Sequence, residues 1–323
     1  NIIEPVGSDF ILHSDPIIES ASDITVTTND EDYIISYYSI RTNKGLASSI
    51  KKLIANEGSD QQGATSNIIK NTRDEEFYVY TLGKLTSIHN RLADAIDHGK
   101  VANGKVLTLH GLVAWENVKI SRSVSAFKNF ESINQHPELV LGCEVTALAS
   151  ILNYEGYQID KTELADRLTY DPQPIERLSD REFFGDMNEG FVGDIYGKTR
   201  GHGVYAKPIQ DLMSLYIPRH RVLNLTGASL DEILYYVDKG VPVWVVVSIH
   251  FDKPSNSQKA QWMTKRGMLE YSLEEHAVAI IGYNNNQITI ADPNGGVIIT
   301  KNREAFSAGI EAFGNQAIAY VPD

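Results

Sequence analysis

The single cysteine of this 323-residue chain, Cys143, lies at the start of an apolar pattern with helical spacing. The pattern continues through Leu148 and Leu152, and Gly156 marks its expected end. A helix N-terminus favours a thiolate, because the macrodipole and the free backbone N–H groups stabilise negative charge there. Thiolate is the nucleophilic form of cysteine, so the sequence predicts a nucleophile at Cys143. The alternative is a buried cysteine that serves only as a small apolar residue.

A histidine and an aspartate flank a predicted β-hairpin near the C-terminus. Residues 277–283 and 287–291 are rich in β-formers and are separated by an asparagine-rich turn. His276 begins the first strand and Asp292 ends the second, so antiparallel pairing brings the two side chains together. A carboxylate beside an imidazole fixes its tautomer and stabilises the imidazolium. We therefore predict His276 as a catalytic base oriented by Asp292, with a merely hydrogen-bonded histidine as the alternative.

Acyl transfer also needs a donor for the developing oxyanion, and Gln135 lies a few residues upstream of Cys143. Its side-chain NH₂ donates hydrogen bonds without carrying charge, and the backbone N–H of Cys143 is the expected second donor. The chain order of cysteine, histidine and aspartate is that of papain-like cysteine hydrolases. The sequence thus predicts a site formed by Cys143, His276, Asp292 and Gln135.

These residues require a helix that bears the cysteine, packed against an antiparallel sheet that bears the histidine and the aspartate. Such a domain has an α+β fold, and we place it at residues 123–323, a length sufficient for one hydrophobic core. Residues 1–30 lack periodicity and are predicted as an irregular lead-in. Residues 31–122 are predicted as a small α/β domain.

The small domain contains two similar segments, which begin near residues 33 and 77. Each combines a strand-like run with a helical pattern, and Ile88, Leu92 and Ile96 are predicted to form the helix face of the second segment. A duplicated β-α-β unit explains the similarity. Chance resemblance between two amphipathic pieces is the alternative.

Glycine-rich and aromatic segments around the predicted site are candidates for a substrate groove. Residues 190–197 and the polar stretch 252–272 are the two loops considered, and irregular loops without a binding role are the alternative. The predicted groove residues are Gly142, Gly190, Asp194, Tyr196 and Trp262.

Several motifs in order carry a resemblance to a known family. They are LGCEVTALASILNYEGY at 141–157, GFVGDIYG at 190–197, GHGVYA at 201–206, the stretch 225–244, HAVAIIGY at 276–283 and ADP at 291–293. This part of the chain resembles the bacteriocin-processing-peptidase-like cysteine peptidases, a papain-like group abundant in Gram-positive bacteria. The resemblance covers about residues 130–320. It implies a papain-like fold, peptide-bond hydrolysis, and a peptide or protein substrate.

Charge and composition exclude other classes of function. The chain has 42 acidic and 29 basic residues, so its net charge of −13 argues against nucleic acid as a partner. One cysteine makes neither an internal disulfide nor a multi-cysteine metal site, and the nine histidines include no pair at i, i+4. We therefore predict no cofactor and no metal. No apolar run approaches the ~18 residues of a membrane-spanning helix.

Two other functions fit the same residues. One is a cell-wall amidase or endopeptidase that acts on peptidoglycan stem peptides, and the other is a catalytically silent binding or adhesion module. The first residue is Asn rather than Met, so we expect any signal peptide to be missing from this chain. Export to the cell wall or medium is the expected localisation, with the cytoplasm as the alternative. Residues 31–122 are predicted to dock or target the enzyme, for example at the cell wall.

Overall fold

The described residues of the N-terminal part of the chain form antiparallel strands and one helix. The computed structural model describes residues 3–6, 9–12, 22–27, 32–37, 76–178 and 181–322. The chain divides into two compact units, Asn1–Asn117 and Val118–Asp323. The described elements of the first unit are β1 (Ile3–Val6), β2 (Asp9–Leu12), β3 (Ser22–Thr27), β4 (Asp32–Tyr37), β5 (Phe77–Thr81), β6 (Lys84–His89), α1 (Leu92–Ala102), β7 (Lys105–Thr108) and β8 (Val113–Glu116).

Pairing in this unit is antiparallel throughout the described strands. Strand β1 pairs with β2, β3 pairs with β4, and the order β6-β5-β7-β8 forms a four-stranded sheet. Helix α1 buries Leu92, Ala95 and Ile96, and it packs on β5, β6 and β7. Apolar residues at helical spacing therefore cover one face of a small sheet.

Strand β6 occupies residues that the sequence pattern assigned to a helix. Ile88 lies in β6, paired with β5, and α1 begins only at Leu92. Leu82 and Gly83 adopt positive φ values of 49° and 78°, which suits the two-residue turns that join antiparallel strands. The placement of Ile88 on a helix face is therefore wrong, because this turn returns the chain along β5 before the helix starts.

The segment from β5 to β8 consequently has the order β-β-α-β-β instead of the predicted β-α-β. The helical half of the first predicted repeat, around residues 46–54, lies outside the described residues. The internal duplication stays a prediction.

The second unit contains the remaining elements. Its helices are α2 (Cys143–Tyr154), α3 (Lys161–Arg167), α4 (Ala206–Met213), α5 (Leu230–Asp238) and α6 (Arg303–Glu311). Its strands are β9 (Tyr170–Asp171), β10 (Glu176–Leu178), β11 (Arg181–Phe183), β12 (Phe191–Gly193), β13 (Gly201–Gly203), β14 (Val222–Asn224), β15 (Val243–Ser248), β16 (Lys259–Thr264), β17 (Gly267–Ser272), β18 (Glu275–Tyr283), β19 (Gln287–Asp292), β20 (Val297–Asn302) and β21 (Ala317–Tyr320).

A six-stranded antiparallel sheet forms the core of this unit. Its strand order is β14-β21-β15-β18-β19-β20. Every residue of β15 is buried, and so is every residue of β18 after Glu275. A continuous apolar run of this kind is expected where both faces of a strand are covered.

Helices α2 and α6 cover opposite faces of the sheet. On β15 the indole Nε1 of Trp244 donates a hydrogen bond to the Glu144 carbonyl of α2, at 3.0 Å. Three residues further on, Val247 packs directly against Gly309 of α6. Because side chains alternate along a strand, these two residues point to different faces. The mixed helix and sheet content predicted for this part of the chain is confirmed.

Helix α2 is almost completely enclosed. All ten residues from Cys143 to Leu152 are buried, which places its N-terminus beside the central sheet. The residue before it, Gly142, lies so close to Leu139 that an added Cβ would be 2.6 Å from the Leu139 Cβ. Only glycine fits this approach, so the turn that leads into the helix tolerates no side chain.

Two smaller sheets complete the unit, with the orders β13-β12-β9 and β10-β11-β16-β17. The polar stretch predicted as a loop therefore contains a β16–β17 hairpin. Trp262 of β16 is only 1 % exposed, and its Nε1 donates to the Gly185 carbonyl at 2.7 Å. The groove prediction for Trp262 is wrong, because this ring is packed between His202 and Tyr271 instead of facing solvent.

Across the described ranges, no helix combines the length and the apolar character that crossing a membrane requires.

Candidate active site

Cys143 is the first residue of α2 and is 7 % exposed. Its thiol donates to the Glu144 Oε2 at 3.3 Å, and its sulfur accepts from the backbone N–H of Ala277. Burial, followed by the charges of Glu144 and Glu275, raises the pKa of the Cys143 thiol well above its usual value. The thiol therefore holds its proton more tightly than a free cysteine does, because burial, together with the nearby carboxyl groups, outweighs the helix N-terminus that the sequence analysis relied on.

The side chains of His276 and Asp292 are paired, one from β18 and the other from the neighbouring antiparallel strand β19. The distance between His276 Nε2 and Asp292 Oδ1 is 2.7 Å, and the two residues are 3 % and 5 % exposed. The same Oδ1 accepts from the backbone N–H of Asn294 at 2.8 Å. Ala277, which bonds the Cys143 sulfur, follows His276 directly. The His276–Asp292 pair and the Ala277 N–H that bonds the sulfur therefore lie near the start of one buried strand.

Gln135 does not offer a free donor in this structure. Its Nε2 donates to the Val140 carbonyl at 3.0 Å and to the Leu139 carbonyl at 3.3 Å. Its Oε1 is buried without a hydrogen-bond partner in the described part of the chain. The predicted oxyanion role is thus not realised here, because the turn between Gln135 and Cys143 folds back over the amide and uses its N–H groups.

The segment that carries Gln135 is held in place by a buried lysine. Lys161 of α3 is 8 % exposed, and its Nζ donates to the Asn134 carbonyl at 2.5 Å and the Gln135 carbonyl at 3.0 Å. It also forms an ion pair with Glu138 at 2.7 Å. The hydrogen bond from Lys161 lowers the pKa of the Glu138 carboxyl. Nothing in the local sequence pattern distinguishes Lys161 from an exposed lysine.

We expect Lys161→Met to destabilise this unit by about 1–3 kcal/mol, since two backbone carbonyls lose their donor inside the protein. Methionine keeps the length and apolar stem of lysine, so the change isolates the ammonium. The measurement is the urea midpoint at constant m-value. Lys207→Met is the matched control, because the Lys207 side chain is 43 % exposed and its ammonium bonds the Asp211 carboxylate of its own helix. Equal midpoints for the two variants would contradict the assignment.

Two glutamates, Glu144 and Glu275, lie beside the thiol. Glu144 is completely buried, and its Oε1 accepts from the backbone N–H of Val204 at 2.9 Å. The Cys143 sulfur and one carboxylate oxygen each of Glu144 and Glu275 lie within 4.8 Å of one another. Among the described residues, this is the one cluster of three or more Cys, His, Asp or Glu side chains that is as close as this. Sequence reasoning missed both glutamates, although each is adjacent in the chain to a predicted catalytic residue.

The remaining groove candidates fall into two kinds. Gly190 is enclosed, since an added Cβ would lie 2.5 Å from the backbone nitrogen of Asp171, so its role is in packing. Asp194 accepts backbone hydrogen bonds from Tyr196 and Thr199, at 3.0 and 2.8 Å, which shapes an exposed turn. The Tyr196 ring is 38 % exposed. Of the five predicted groove residues, Asp194 and Tyr196 therefore lie on an exposed turn. Gly142 belongs to the tight turn that leads into α2.

Comparisons with known proteins agree with this arrangement of helix and sheet. A solved structure described as a C39-like peptidase from Bacillus anthracis is 34 % identical to this chain with a TM-score of 0.57, covering 63 % of this chain and 99 % of that one. The uncharacterized protein YvpB of Bacillus subtilis strain 168 is 37 % identical over 182 residues, which are 56 % of this chain and 70 % of YvpB.

A family model, the Peptidase_C39 like family, matches residues 127–318. The chain belongs to this family. The resemblance found in the sequence motifs is thereby confirmed, and membership makes a peptidase the candidate activity of this part of the chain.

Proposed function

We propose that the second unit is a cysteine peptidase with a papain-like site in which Cys143 is the nucleophile. The single observation that supports this most is the 2.7 Å contact between His276 and Asp292, directly beside the Ala277 N–H that bonds the Cys143 sulfur. A nucleophile, a base and a residue that orients the base are the parts that acyl transfer requires.

In the proposed reaction, His276 accepts the thiol proton through Nδ1 while Asp292 holds Nε2–H. The sulfur attacks the peptide carbonyl carbon, and the carbonyl π electrons move to oxygen. The backbone N–H of Cys143 stabilises this oxyanion, joined by Gln135 once its amide leaves the loop carbonyls. Collapse of the intermediate breaks the C–N bond, and His276 gives its proton to the leaving amine. Water then hydrolyses the thioester by the same route, which restores the thiol and releases the carboxylic acid.

The proposal predicts hydrolysis of a mixed peptide library and loss of that hydrolysis after alkylation with iodoacetamide. Purified muropeptides, assayed in parallel by mass spectrometry, separate a general peptidase from a cell-wall amidase or endopeptidase. Cleavage of muropeptides alone would assign the enzyme to the cell wall. Binding of peptides without any cleavage would instead support the silent binding module and reject the proposed activity. Export, and a docking role for residues 31–122, stay predictions.

A further inference from the structure

Two carboxyl groups from different elements converge beside the Cys143 thiol. Glu144 comes from α2 and Glu275 from the start of β18. A Cβ placed on Gly203 would lie 2.6 Å from both Glu144 Oε1 and Glu275 Oε2, so one glycine is in contact with both carboxyl groups. Glu275 Oε1 is shielded from solvent and has no hydrogen-bond partner within the described ranges.

Two carboxylates this close together in a buried site do not both ionise readily. Burial raises the pKa of Glu144 to about 7, against the favourable hydrogen bonds from Val204 and the thiol. Burial, followed by the charge of Glu144, raises the pKa of Glu275 well above its usual value. Glu275 therefore holds its proton more tightly, and Glu144 is the member of the pair that ionises first.

Other titratable side chains lie near Glu144 and Glu275, and their charges also bear on the pair. Tyr205, which follows β13, and Tyr170 of β9 interact with Glu275 and Glu144 respectively. Burial raises the pKa of both phenols, so both stay neutral around pH 7. Asp186 interacts with Tyr205 and raises the pKa of its phenol further. His276, which follows Glu275 on β18, is the histidine next to the pair in the chain.

We propose that Glu144 and Glu275 form a proton-sharing pair that controls the ionisation of Cys143. Ionised Glu144 accepts the thiol hydrogen bond at 3.3 Å and repels negative charge on sulfur, so it retains the proton on Cys143. Protonated Glu144 loses this repulsion, and the thiol ionises more easily. Both glutamates act through the cysteine and are positioning residues. The relevance to turnover depends on the proposed peptidase function, whereas the control of thiol ionisation does not.

The direct test is the pH dependence of alkylation by iodoacetamide, which reports one site because Cys143 is the only cysteine. We expect Glu144→Gln to lower the pKa of Cys143 by about one unit or more, as expected when a like charge is removed. Lower nucleophilicity offsets part of the gain in thiolate, so alkylation at pH 7.5 should be about threefold faster. Glutamine retains an acceptor for the Val204 N–H, so this contact of the helix start is preserved.

The shape of the profile gives a second criterion. In the wild-type protein the logarithm of the rate should rise with pH, flatten from about pH 7 as Glu144 ionises, and then rise again. Glu144→Gln should remove the flat part, and Glu275→Gln, which mimics the protonated partner, should retain it. His276 is present in all three proteins, so a difference among them is due to Glu144. Glu311→Gln, on the exposed end of α6, is the control for the change in net charge.

An unchanged thiol pKa in a folded Glu144→Gln protein would overturn the inference. If that variant does not fold, a wild-type profile that rises without flattening would overturn it equally. Alkylation requires no turnover, so the two proposals fail separately. A protein that cleaves no peptide yet shows these shifts would reject the peptidase and retain the proton-sharing pair.

Discussion

Cys143→Ala is expected to abolish covalent labelling and to lower peptide hydrolysis by at least about a thousandfold, since loss of a nucleophile removes the covalent route. The structure predicts that folding survives. The side chain is small, and the principal loss is the sulfur that accepts the Ala277 N–H, which costs about 1 kcal/mol. Circular dichroism and a urea titration check the fold, and a chromogenic peptide checks turnover.

Cys143→Ser is the matched control for that experiment. A hydroxyl retains an acceptor for Ala277, so the serine variant should be as stable as wild type while remaining almost inactive. Hydrolysis that persists in the alanine variant would assign the chemistry to another residue. Equal loss of stability and activity would instead place Cys143 among the structural residues of α2.

Asp292→Ala should lower kcat/KM by about 10²–10⁴-fold, because His276 loses the group that fixes its tautomer and orientation. Asp292→Asn should lower kcat/KM only about tenfold, because it replaces a charge-assisted hydrogen bond to His276 by a neutral one. The reason is local: Asp292 Oδ1 also accepts from the Asn294 N–H at 2.8 Å. An amide NH₂ in that position would oppose another donor, so the amide oxygen should occupy it and still accept from His276 Nε2–H.

Steady-state kinetics on the two variants, with alkylation rates for each, test this argument. Before their kinetics are compared, urea titration should show that both proteins keep the wild-type free energy of unfolding to within about 1 kcal/mol. If asparagine is as damaging as alanine, the amide is not oriented by Asn294. If neither variant loses activity, His276 does not act as the catalytic base.

The predictable part of the site is the part encoded by short-range periodicity. Alternation across an asparagine-rich turn predicts a hairpin with His276 and Asp292 near its two ends, and the structure has this hairpin, with a register shift between Ile280 and Gly282. An apolar helical pattern predicts that α2 begins at Cys143. Both inferences need only neighbouring residues, and the structure has the two elements at these positions.

The residues that sequence reasoning missed depend on contacts distant in the chain. Lys161 is buried because carbonyls of the Gln135 segment reach it, and Glu144 meets Glu275 only after α2 packs on the central sheet. The Trp262 groove prediction is wrong because Gly185 and two aromatic rings enclose the indole. Ile88 was misassigned because a Leu-Gly turn lacks the usual Asn-Gly signature.

Strand β18 is bonded to β15 from Glu275 to Ile280, and to β19 from Ala279 onward. The part of an interior strand with both ladders filled opens only when the whole sheet opens, so the amides from Ala279 onward belong to the slowest class in hydrogen exchange. The site residues Glu275, His276 and Ala277 directly precede this part, at one end of the most cooperative element of the domain. Heating should remove activity and tertiary structure in one transition, and partial unfolding that spares the sheet should leave the His276–Asp292 contact intact.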